Sequence, residues 1–214
     1  MLDTSADINS QEGNLPPGII LICGPPASGK TTLAGSLHRT LDSSVVFSFD
    51  DIFSLEEQDA AIKTKGDFRR LRRTLLEGVE DLLDDRRESS AARRLLSVVR
   101  NAMGNEPGAR NERESWQHVI IDDNLYLRSM RYCWLQAARL RGLALCIVYV
   151  TAQLDECLTR NRRRSVPVAN DIIIEQFRKM EPPLPDKQTW ERFSMTIDTS
   201  DTSLQSRSLE VTTS

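Results

Sequence analysis

The chain has 214 residues, of which 39% are hydrophobic and 28% are charged, and its formal net charge at pH 7 is -3. This length suffices for one α/β domain with a real core. The near-neutral charge argues against nucleic-acid binding by bulk charge, although it allows a local basic face. The longest apolar run, residues 143–150, is far shorter than the roughly 20 residues of a membrane helix, so no membrane partner is expected.

The first 17 residues are polar and acidic and contain no apolar segment of a secretion signal, so we expect a flexible tail and a cytoplasmic protein. The cysteines are scattered, and no two form a Cys-x-x-Cys pair: Cys23, Cys133, Cys146 and Cys157. We therefore expect four reduced, mostly buried thiols. His38 and His118 have no metal-ligand neighbours in the sequence, which argues against a zinc site.

The first predicted strand is the continuous apolar run at 18–23, which is typical of a strand buried on both faces of a parallel sheet. A glycine-rich loop follows it. A helix then begins near Thr31, with Leu33 and Leu37 on its apolar side. A second short strand is predicted at 45–49, and it ends on two acidic residues.

The stretch 54–100 is heavily charged and is predicted to be helical, because apolar residues recur at helical spacing: Phe68, Leu71, Leu75, Val79, Leu82 and Leu83. Residues 101–115 are rich in Gly, Asn, Glu and Arg, which predicts an exposed loop. Strands and helices alternate again beyond this loop. The predicted strands lie at 119–121, 145–150 and 193–197, and the predicted helices lie at 129–141, 154–164 and 171–180.

This alternation predicts a parallel sheet with right-handed crossover connections. We therefore expect a three-layer α/β/α sandwich with a five-stranded parallel sheet, whose functional groups collect at the carboxyl ends of the strands. The predicted domain spans 18–198, with a helical insertion at about 54–118 and a lid at about 157–180. Residues 199–214 are rich in Ser and Thr and predict a flexible C-terminal tail.

The glycine-rich loop matches the phosphate-binding pattern Gly-x-x-x-x-Gly-Lys-Ser/Thr, which predicts a P-loop NTPase. Its glycines let backbone N–H groups point at phosphates, and the positive end of the following helix adds to that anion site. Lys30 is expected to reach the β- and γ-phosphates of ATP, and the Thr31 hydroxyl to ligate Mg²⁺. Thr32 supports the start of the helix. The expected nucleotide-binding residues are Gly24, Pro25, Pro26, Ala27, Ser28, Gly29, Lys30, Thr31 and Thr32.

Two predicted strands end on paired acids, Asp50 with Asp51 and Asp122 with Asp123. Strand ends of a doubly wound sheet lie beside the phosphate loop. Asp122 closes a Val-Ile-Ile-Asp run typical of a Walker B strand, so we assign it to Mg²⁺, and Asp50 becomes the candidate general base. Asp51 and Asp123 are equally consistent with helix caps. Two acids at one metal-phosphate site favour transfer to a hydroxyl acceptor, and no Asn-Lys-x-Asp motif of a GTPase is present.

Four arginines cluster after the fourth predicted strand: Arg160, Arg162, Arg163 and Arg164. In small P-loop kinases such an arginine lid closes over the triphosphate and neutralises its charge, whereas the alternative is a solvated helix end. Arg160 and Arg164 lie one turn apart and are the candidate catalytic arginines. A second basic stretch at 69–73 is interpreted as helix-surface ion pairs, with contact to RNA phosphates as the alternative.

These stretches together resemble the O-phosphoseryl-tRNA(Sec) kinase family, also called L-seryl-tRNA(Sec) kinases. The phosphate loop alone is generic, whereas the Asp-Asp-Asn…Ser-Met-Arg-Tyr block and the Arg-Asn pair of the lid are far more specific. The resemblance extends from about Ile19 to Ile197. The matching stretches are 23–32, 49–52, 122–132, 157–161, 178–183 and 190–191.

The resemblance implies transfer of the γ-phosphate of ATP to the serine hydroxyl of seryl-tRNA(Sec) in selenocysteine biosynthesis, with tRNA rather than DNA as the partner. By position, Asp50 matches the acid that activates this hydroxyl. Related phosphotransferases often carry an arginine three residues after that acid, where this chain has Phe53, so the supporting role is absent or is filled elsewhere. Arg131 and Tyr132 match a family signature whose role is either functional or structural.

The resemblance leaves two alternatives. An Elongator-associated P-loop ATPase that supports tRNA wobble-uridine modification shares this architecture, but its central block tends to read Asn-Tyr-Ile-Lys-Gly, so Ser129 and Met130 favour the kinase. The kinase family also carries a helical C-terminal domain that helps to grip the tRNA, and we expect this chain to lack it. The other alternative is therefore a form that binds ATP without kinase activity.

Overall fold

The computed structural model describes residues 16–64, 67–103 and 116–200 of the chain. Three predictions lie mostly or wholly outside these described residues, namely the N-terminal tail, the loop at 101–115 and the C-terminal tail. Residues 101–103 belong to the end of a helix, so the helical region extends slightly further than the sequence pattern indicates.

A sheet of five strands forms the centre of the domain. The strands are β1 Gly18–Cys23, β2 Ser44–Ser48, β3 His118–Asp122, β4 Ala144–Thr151 and β5 Ser194–Asp198. Their spatial order is β2-β3-β1-β4-β5, and every neighbouring pair is parallel. The predicted five-stranded parallel sheet is therefore confirmed.

Strand β1 lies at the centre of the sheet, which explains its uninterrupted apolar sequence. Ile20 is aligned with Ile120 of β3 on one side and with Cys146 of β4 on the other. Strand β5 lies at an edge and exposes Met195. Because all the strands point the same way, the segments that follow them meet at one edge of the sheet.

Within the described residues, the strands are connected by eight α-helices and one short 3₁₀-helix. The α-helices are α1 Lys30–Thr40, α2 Phe49–Ile52, α3 Leu55–Lys63, α4 Asp67–Leu83, α5 Ser90–Met103, α6 Arg128–Leu140, α7 Leu154–Arg162 and α8 Asn170–Lys179, and the 3₁₀-helix is Thr189–Glu191. The charged region predicted as helix from 54 to 100 thus contains three helices. The three predicted helices after β3 agree with the structure to within two residues at each end.

Hydrophobic side chains are packed on both faces of the sheet. On one face, Ala34 of α1 packs with Ile22 and Val148 of the sheet. On the other face, a larger cluster joins the sheet to helices α2 to α6, and Leu75 of α4 and Trp134 of α6 belong to it. The arrangement is the predicted three-layer α/β/α sandwich.

Helices α3, α4 and α5 form one packed group, in which α4 contacts both α3 and α5. Helix α3 begins with a capping box, in which the Ser54 hydroxyl accepts from the Glu57 N–H and the Glu57 carboxylate accepts from the Ser54 N–H. Helices α4 and α5 approach closely at Gly78, where an added Cβ would lie 2.9 Å from a Leu95 methyl group and 3.0 Å from the Ala91 carbonyl oxygen.

No helix among the described residues combines the length and the apolar character that a membrane span requires. All four cysteines are unpaired. Cys23 and Cys157 are buried, as predicted, and Cys146 is partly buried, whereas Cys133 lies on the exposed side of α6. Burial raises the pKa of Cys23 to about 12, so this thiol is protonated and unreactive at neutral pH.

Candidate active site

The predicted phosphate loop connects β1 to α1 and has the backbone shape that its sequence requires. Gly24 adopts a φ of 147°, and an added Cβ there would lie 2.0 Å from the Val150 carbonyl oxygen. This position therefore tolerates only glycine. The hydroxyl of Ser28 is buried within the loop and has no hydrogen-bond partner in the part of the chain that the structure describes. A buried donor without a partner fits a loop built to receive an anionic ligand.

Lys30 is the first residue of α1 and is buried. Its Nζ donates a hydrogen bond of 2.9 Å to the carbonyl oxygen of Pro25, so the ammonium group lies against the phosphate loop. Burial lowers the pKa of Lys30, and the charges of Asp122 and Asp123 oppose this effect. The buried ammonium group thus lacks full compensation, which makes it a favourable partner for phosphate oxygens.

Thr31 and Asp122 meet at the end of β3. The Thr31 hydroxyl donates a hydrogen bond of 2.6 Å to Oδ2 of Asp122. Burial raises the pKa of Asp122, while the hydrogen bond from Thr31 and the charge of Lys30 act in the opposite direction. The pair presents hydroxyl and carboxylate oxygens beside Lys30, and these are the ligands that Mg²⁺ prefers.

Asp50 follows β2 and lies within the short helix α2. Asp50 is exposed, and among the described residues its carboxylate accepts one hydrogen bond, a long one of 3.4 Å from the Gln58 amide. Asp50 is therefore free to accept a proton from a substrate. The neighbouring Asp51 is also exposed but does not line the cavity described next.

One cavity of about 670 Å³ collects the predicted catalytic groups. Its wall includes all four predicted catalytic residues: Lys30, Asp50, Arg160 and Arg164. The metal-site candidates Thr31 and Asp122 also line it. Of the predicted nucleotide-binding residues, Pro26, Ala27, Gly29, Lys30, Thr31 and Thr32 line the cavity, whereas Gly24, Pro25 and Ser28 are buried in the loop behind it.

The two candidate arginines of the lid differ in their surroundings. Arg160 pairs with Glu156 at 2.9 Å, and its guanidinium donates to the hydroxyl and the carbonyl oxygen of Thr199 at 2.8 and 2.7 Å. A longer contact of 3.5 Å reaches the carbonyl oxygen of Ser28 in the phosphate loop. Arg164 is exposed, and its charge acts on Lys30 across the cavity. Arg160 thus supports the loop, and Arg164 is the freer of the two to contact a phosphate.

The basic stretch at 69–73 differs from the predicted row of surface ion pairs. Arg73 does make the expected exposed contact with Glu77, at 3.9 Å. Arg72 instead points into the domain and binds Asp123 through two hydrogen bonds of 2.6 and 3.0 Å. Both Arg72 and Asp123 line the cavity.

The interpretation of Arg72 as a surface residue is therefore wrong, and Asp123 does not cap a helix. The helical pattern carries a signal that identifies Arg72. It lies four residues after Phe68 and three before Leu75, which places it on the apolar stripe of α4. An arginine on such a stripe needs a buried partner, and a carboxylate at a strand end supplies one.

A family model for the chromatin associated protein KTI12 matches residues 18–211, which is most of the chain. The chain belongs to the KTI12 family. The chain is also similar to two curated mammalian enzymes. It is 30% identical to the L-seryl-tRNA(Sec) kinase of Mus musculus and 27% identical to the same enzyme of Homo sapiens, and each match covers 91% of this chain. The chain spans only 62% and 64% of the length of these two relatives.

Solved structures that resemble this KTI12-family chain have the fold of P-loop kinases. Kti12 from Chaetomium thermophilum, in complex with ADP-AlF3, superposes with a TM-score of 0.60 at 19% identity, over 91% of this chain and 96% of that one. A gluconokinase from Sinorhizobium meliloti 1021 gives a TM-score of 0.56 at 13% identity, over 92% of this chain and 98% of that one. At these identities the likeness establishes the shared fold.

Arg131 and Tyr132, which match the signature of the kinase family, contact the segment that leads to β5. Arg131 of α6 is fully buried and donates two hydrogen bonds to Glu191, at 3.1 and 2.8 Å, and a third to the carbonyl oxygen of Leu125 at 3.1 Å. The rings of Tyr132 and Trp190 meet edge to face with centroids 5.4 Å apart. The role of Arg131 and Tyr132 is thus structural, because they join α6 to the segment before β5.

Two further signature residues shape the wall of the cavity. The side chain of Asn161 is buried and makes two hydrogen bonds to the backbone of Val168, at 2.7 and 3.0 Å, which closes the lid loop into a fixed turn. Asn124 donates a hydrogen bond of 2.7 Å to Gln176 of α8, and both line the cavity. These contacts hold the lid segment and the end of β3 beside the same opening.

Proposed function

We propose that this protein transfers the γ-phosphate of ATP to the serine hydroxyl of seryl-tRNA(Sec), giving O-phosphoseryl-tRNA(Sec). The observation that carries the proposal is that one cavity is lined by Lys30, by Arg164 and by the exposed Asp50, and that the charges of Asp50 and Arg164 both act on Lys30. Cationic groups and an accessible acid in the same cavity are what transfer to a hydroxyl requires. The choice of acceptor is supported by the similarity to the two mammalian L-seryl-tRNA(Sec) kinases.

The residues at the phosphate loop fit ATP and Mg²⁺. The Ser28 hydroxyl, which has no hydrogen-bond partner among the described residues, and the glycine backbone at Gly24 suit phosphate oxygens, and Lys30 lies beside them. Thr31 and Asp122 would hold the metal ion through their oxygen atoms. When bound, Mg²⁺ supplies charge neutralisation at the β- and γ-phosphates.

Lys30, Arg164 and Asp50 would each have a separate role in the transfer. Lys30 binds the β- and γ-phosphates, and Arg164 covers them from the lid and limits access of water. Asp50 orients the serine hydroxyl and receives its proton. A bond forms between the serine oxygen and the γ-phosphorus while the bond from that phosphorus to the ADP oxygen breaks, so ADP leaves and phosphoserine remains on the tRNA.

The acceptor can be tested by product analysis. The protein is incubated with Mg²⁺, ATP and Ser-tRNA(Sec), with Ser-tRNA(Ser) as the matched acceptor, and the amino acid released from each tRNA is identified. We expect phosphoserine from Ser-tRNA(Sec) and little from Ser-tRNA(Ser). Serine alone from both acceptors would contradict the proposed acceptor, and equal phosphoserine from both would contradict its selectivity for tRNA(Sec).

Replacing Asp50 with Asn is expected to lower phosphoseryl-tRNA formation about 100-fold, which is the lower end of the usual contribution of a general base. The effect is moderate because phosphoryl transfer relies more on positioning and charge than on proton abstraction. Single-turnover rates with saturating ATP measure it. Asp51→Asn is the matched control, since Asp51 is the next residue and lies outside the cavity wall. If both variants react at the wild-type rate, Asp50 is not the base.

A second candidate function follows from the family itself. The matching family model is named for the chromatin associated protein KTI12 rather than for a kinase. We therefore retain the alternative from the sequence, an Elongator-associated ATP-dependent tRNA-binding factor, as the second candidate. Such a factor would hydrolyse ATP in the presence of bulk tRNA and leave no phosphoserine on any tRNA. The product analysis described above, combined with measurement of inorganic phosphate, separates the two functions.

A further inference from the structure

Arg72 reaches the cavity from the insertion helix α4, and its position is fixed by Asp123. The Arg72 side chain is only 15% exposed, and the Asp123 side chain is only 3% exposed. Nε and one terminal nitrogen of the guanidinium donate to the two carboxylate oxygens, which is the two-point geometry of a strong arginine–carboxylate pair. Burial acts to lower the pKa of Arg72, but the charge and the hydrogen bonds of Asp123, together with the charges of Tyr126 and Asp50, raise this pKa overall.

Three aromatic rings surround the same guanidinium. Its central carbon lies 5.2 Å from the ring centre of Phe49, 5.8 Å from that of Phe68 and 5.7 Å from that of Tyr126. Rings at these distances attract the cation and restrict its rotation. The guanidinium is thus oriented before any ligand arrives, in a wall that also contains Asp50 and Lys30.

One nitrogen of Arg72 is left for a ligand. Nε and Nη2 bind Asp123, whereas Nη1 makes no hydrogen bond to any residue that the structure describes and is not buried. The charge of Asp50 also acts on Arg72 across the cavity. An oriented cation with a free donor, within electrostatic reach of Asp50 and in the same cavity wall as Lys30, is suited to bind a phosphoryl group.

The residue three positions after Asp50 cannot supply this cation. Phe53 occupies that position and is fully buried. Arg94 of α5 covers the Phe53 ring at 4.6 Å, but it is paired with Glu57 and does not line the cavity. Arg72 therefore brings to the cavity, from a different helix, the positive charge that the segment after Asp50 lacks.

We propose that Arg72 binds the phosphoryl group during transfer through its free Nη1, and that Asp123 is the positioning residue that holds it. The proposal rests on the phosphoryl-transfer part of the proposed function and is independent of the acceptor. As the bond from the γ-phosphorus to ADP breaks and the bond to the acceptor oxygen forms, Arg72 stabilises negative charge on the non-bridging oxygens. The acceptor proton still goes to Asp50.

The test uses the complete chain and needs no tRNA. Aluminium fluoride bound beside ADP stands in for the phosphoryl group in transfer. The affinity for ADP with Mg²⁺ is measured with and without aluminium fluoride, and the ratio of the two dissociation constants is compared between variants. We expect the wild type to bind more tightly with aluminium fluoride, and Arg72→Lys to lose about 100-fold of this gain, the typical effect of removing one transition-state donor.

Arg73→Met is the matched control, because Arg73 is the adjacent arginine and is exposed. Since Arg72→Met leaves the buried Asp123 carboxylate without its counter-charge, the double variant Arg72→Met/Asp123→Asn is included to remove both charges together. It should fold, bind ADP as the wild type does and lose the gain from aluminium fluoride. A merely structural role would instead weaken binding of ADP equally with and without aluminium fluoride.

Either of two results would overturn the proposal. One is an unchanged gain from aluminium fluoride in both Arg72 variants. The other is a wild-type protein with no gain at all, because a cation oriented in advance should bind the mimic without an acceptor. Failure of Ser-tRNA(Sec) as an acceptor would leave this measurement unaffected, so the two proposals can be rejected separately.

Discussion

Replacing Lys30 with Met is expected to lower ATP-dependent phosphoryl transfer about 1000-fold, the upper range for loss of one preorganised charge donor, without destabilising the nucleotide-free protein. Burial lowers the pKa of Lys30, so the protonated form costs folding free energy relative to the unfolded chain. Its hydrogen bond to Pro25 and the charge of Asp122 compensate only in part. A methionine of similar length removes that cost and also removes the contact with phosphate.

The pH dependence of stability tests whether Lys30→Met is stabilised for the reason given. Because the folded-state pKa of Lys30 lies below the unfolded value, the penalty is full below the folded pKa and disappears as the pH rises through the ordinary lysine value of 10.5. Lys30→Met should therefore be at least as stable as the wild type at pH 7, and its advantage should shrink at alkaline pH. Thermal unfolding without nucleotide measures this, with the exposed Lys63→Met as the control. A large drop in the unfolding temperature at pH 7 would contradict the explanation, and wild-type transfer would remove Lys30 from the mechanism.

Replacing Arg131 with Met is expected to lower the free energy of unfolding by about 3–5 kcal/mol, the usual cost of removing one partner of a buried ion pair. Arg131 and Glu191 are both fully buried. The variant leaves the Glu191 carboxylate inside the domain without its main counter-charge, and the carbonyl oxygen of Leu125 loses its donor. Urea unfolding followed by circular dichroism measures the loss.

The double variant Arg131→Met/Glu191→Gln tests the cause. Because it removes both charges, it should recover most of the stability that Arg131→Met loses. Arg139→Met is the control on the same helix, since Arg139 is exposed. A loss below about 1 kcal/mol for Arg131→Met would be typical of a surface pair and would contradict the structural role assigned to this signature residue.

The sheet and its helices could be predicted well from the sequence, because burial on both faces imposes a simple pattern on each element. The apolar run of β1 and the Val-Ile-Ile-Asp run of β3 mark central strands that must be apolar throughout. The internal boundaries of the insertion were not predicted, because the charged surfaces of α3, α4 and α5 share one continuous helical pattern. The turns that separate these three helices have a residue composition similar to that of the helices, so the sequence does not mark them.

The candidate site was predictable where its residues are local in sequence. Lys30 and Thr31 follow from a short motif, and Asp122 follows from the end of a strand. The helical pattern of α4 places Arg72 on the apolar stripe, but its partner Asp123 is 51 residues away and depends on how α4 packs against the sheet, so no local pattern identifies the pair. Arg160 illustrates the same limit, because its contacts with Thr199 join the lid to the end of β5.

The strand order has a consequence for how the chain reaches this structure during synthesis. Strand β1 is made first but pairs with β3 and β4, so its apolar segment has no sheet partner until β3, which ends at Asp122, has been made, and its second partner follows only with β4. At roughly 5–20 residues per second, this delay is on the order of ten seconds. During that interval the nascent chain presents an unpaired hydrophobic strand, which is the kind of segment that chaperones protect from aggregation. Gly24 lies directly against Val150, so the nucleotide loop can take its final shape only when the second half of the domain has been made.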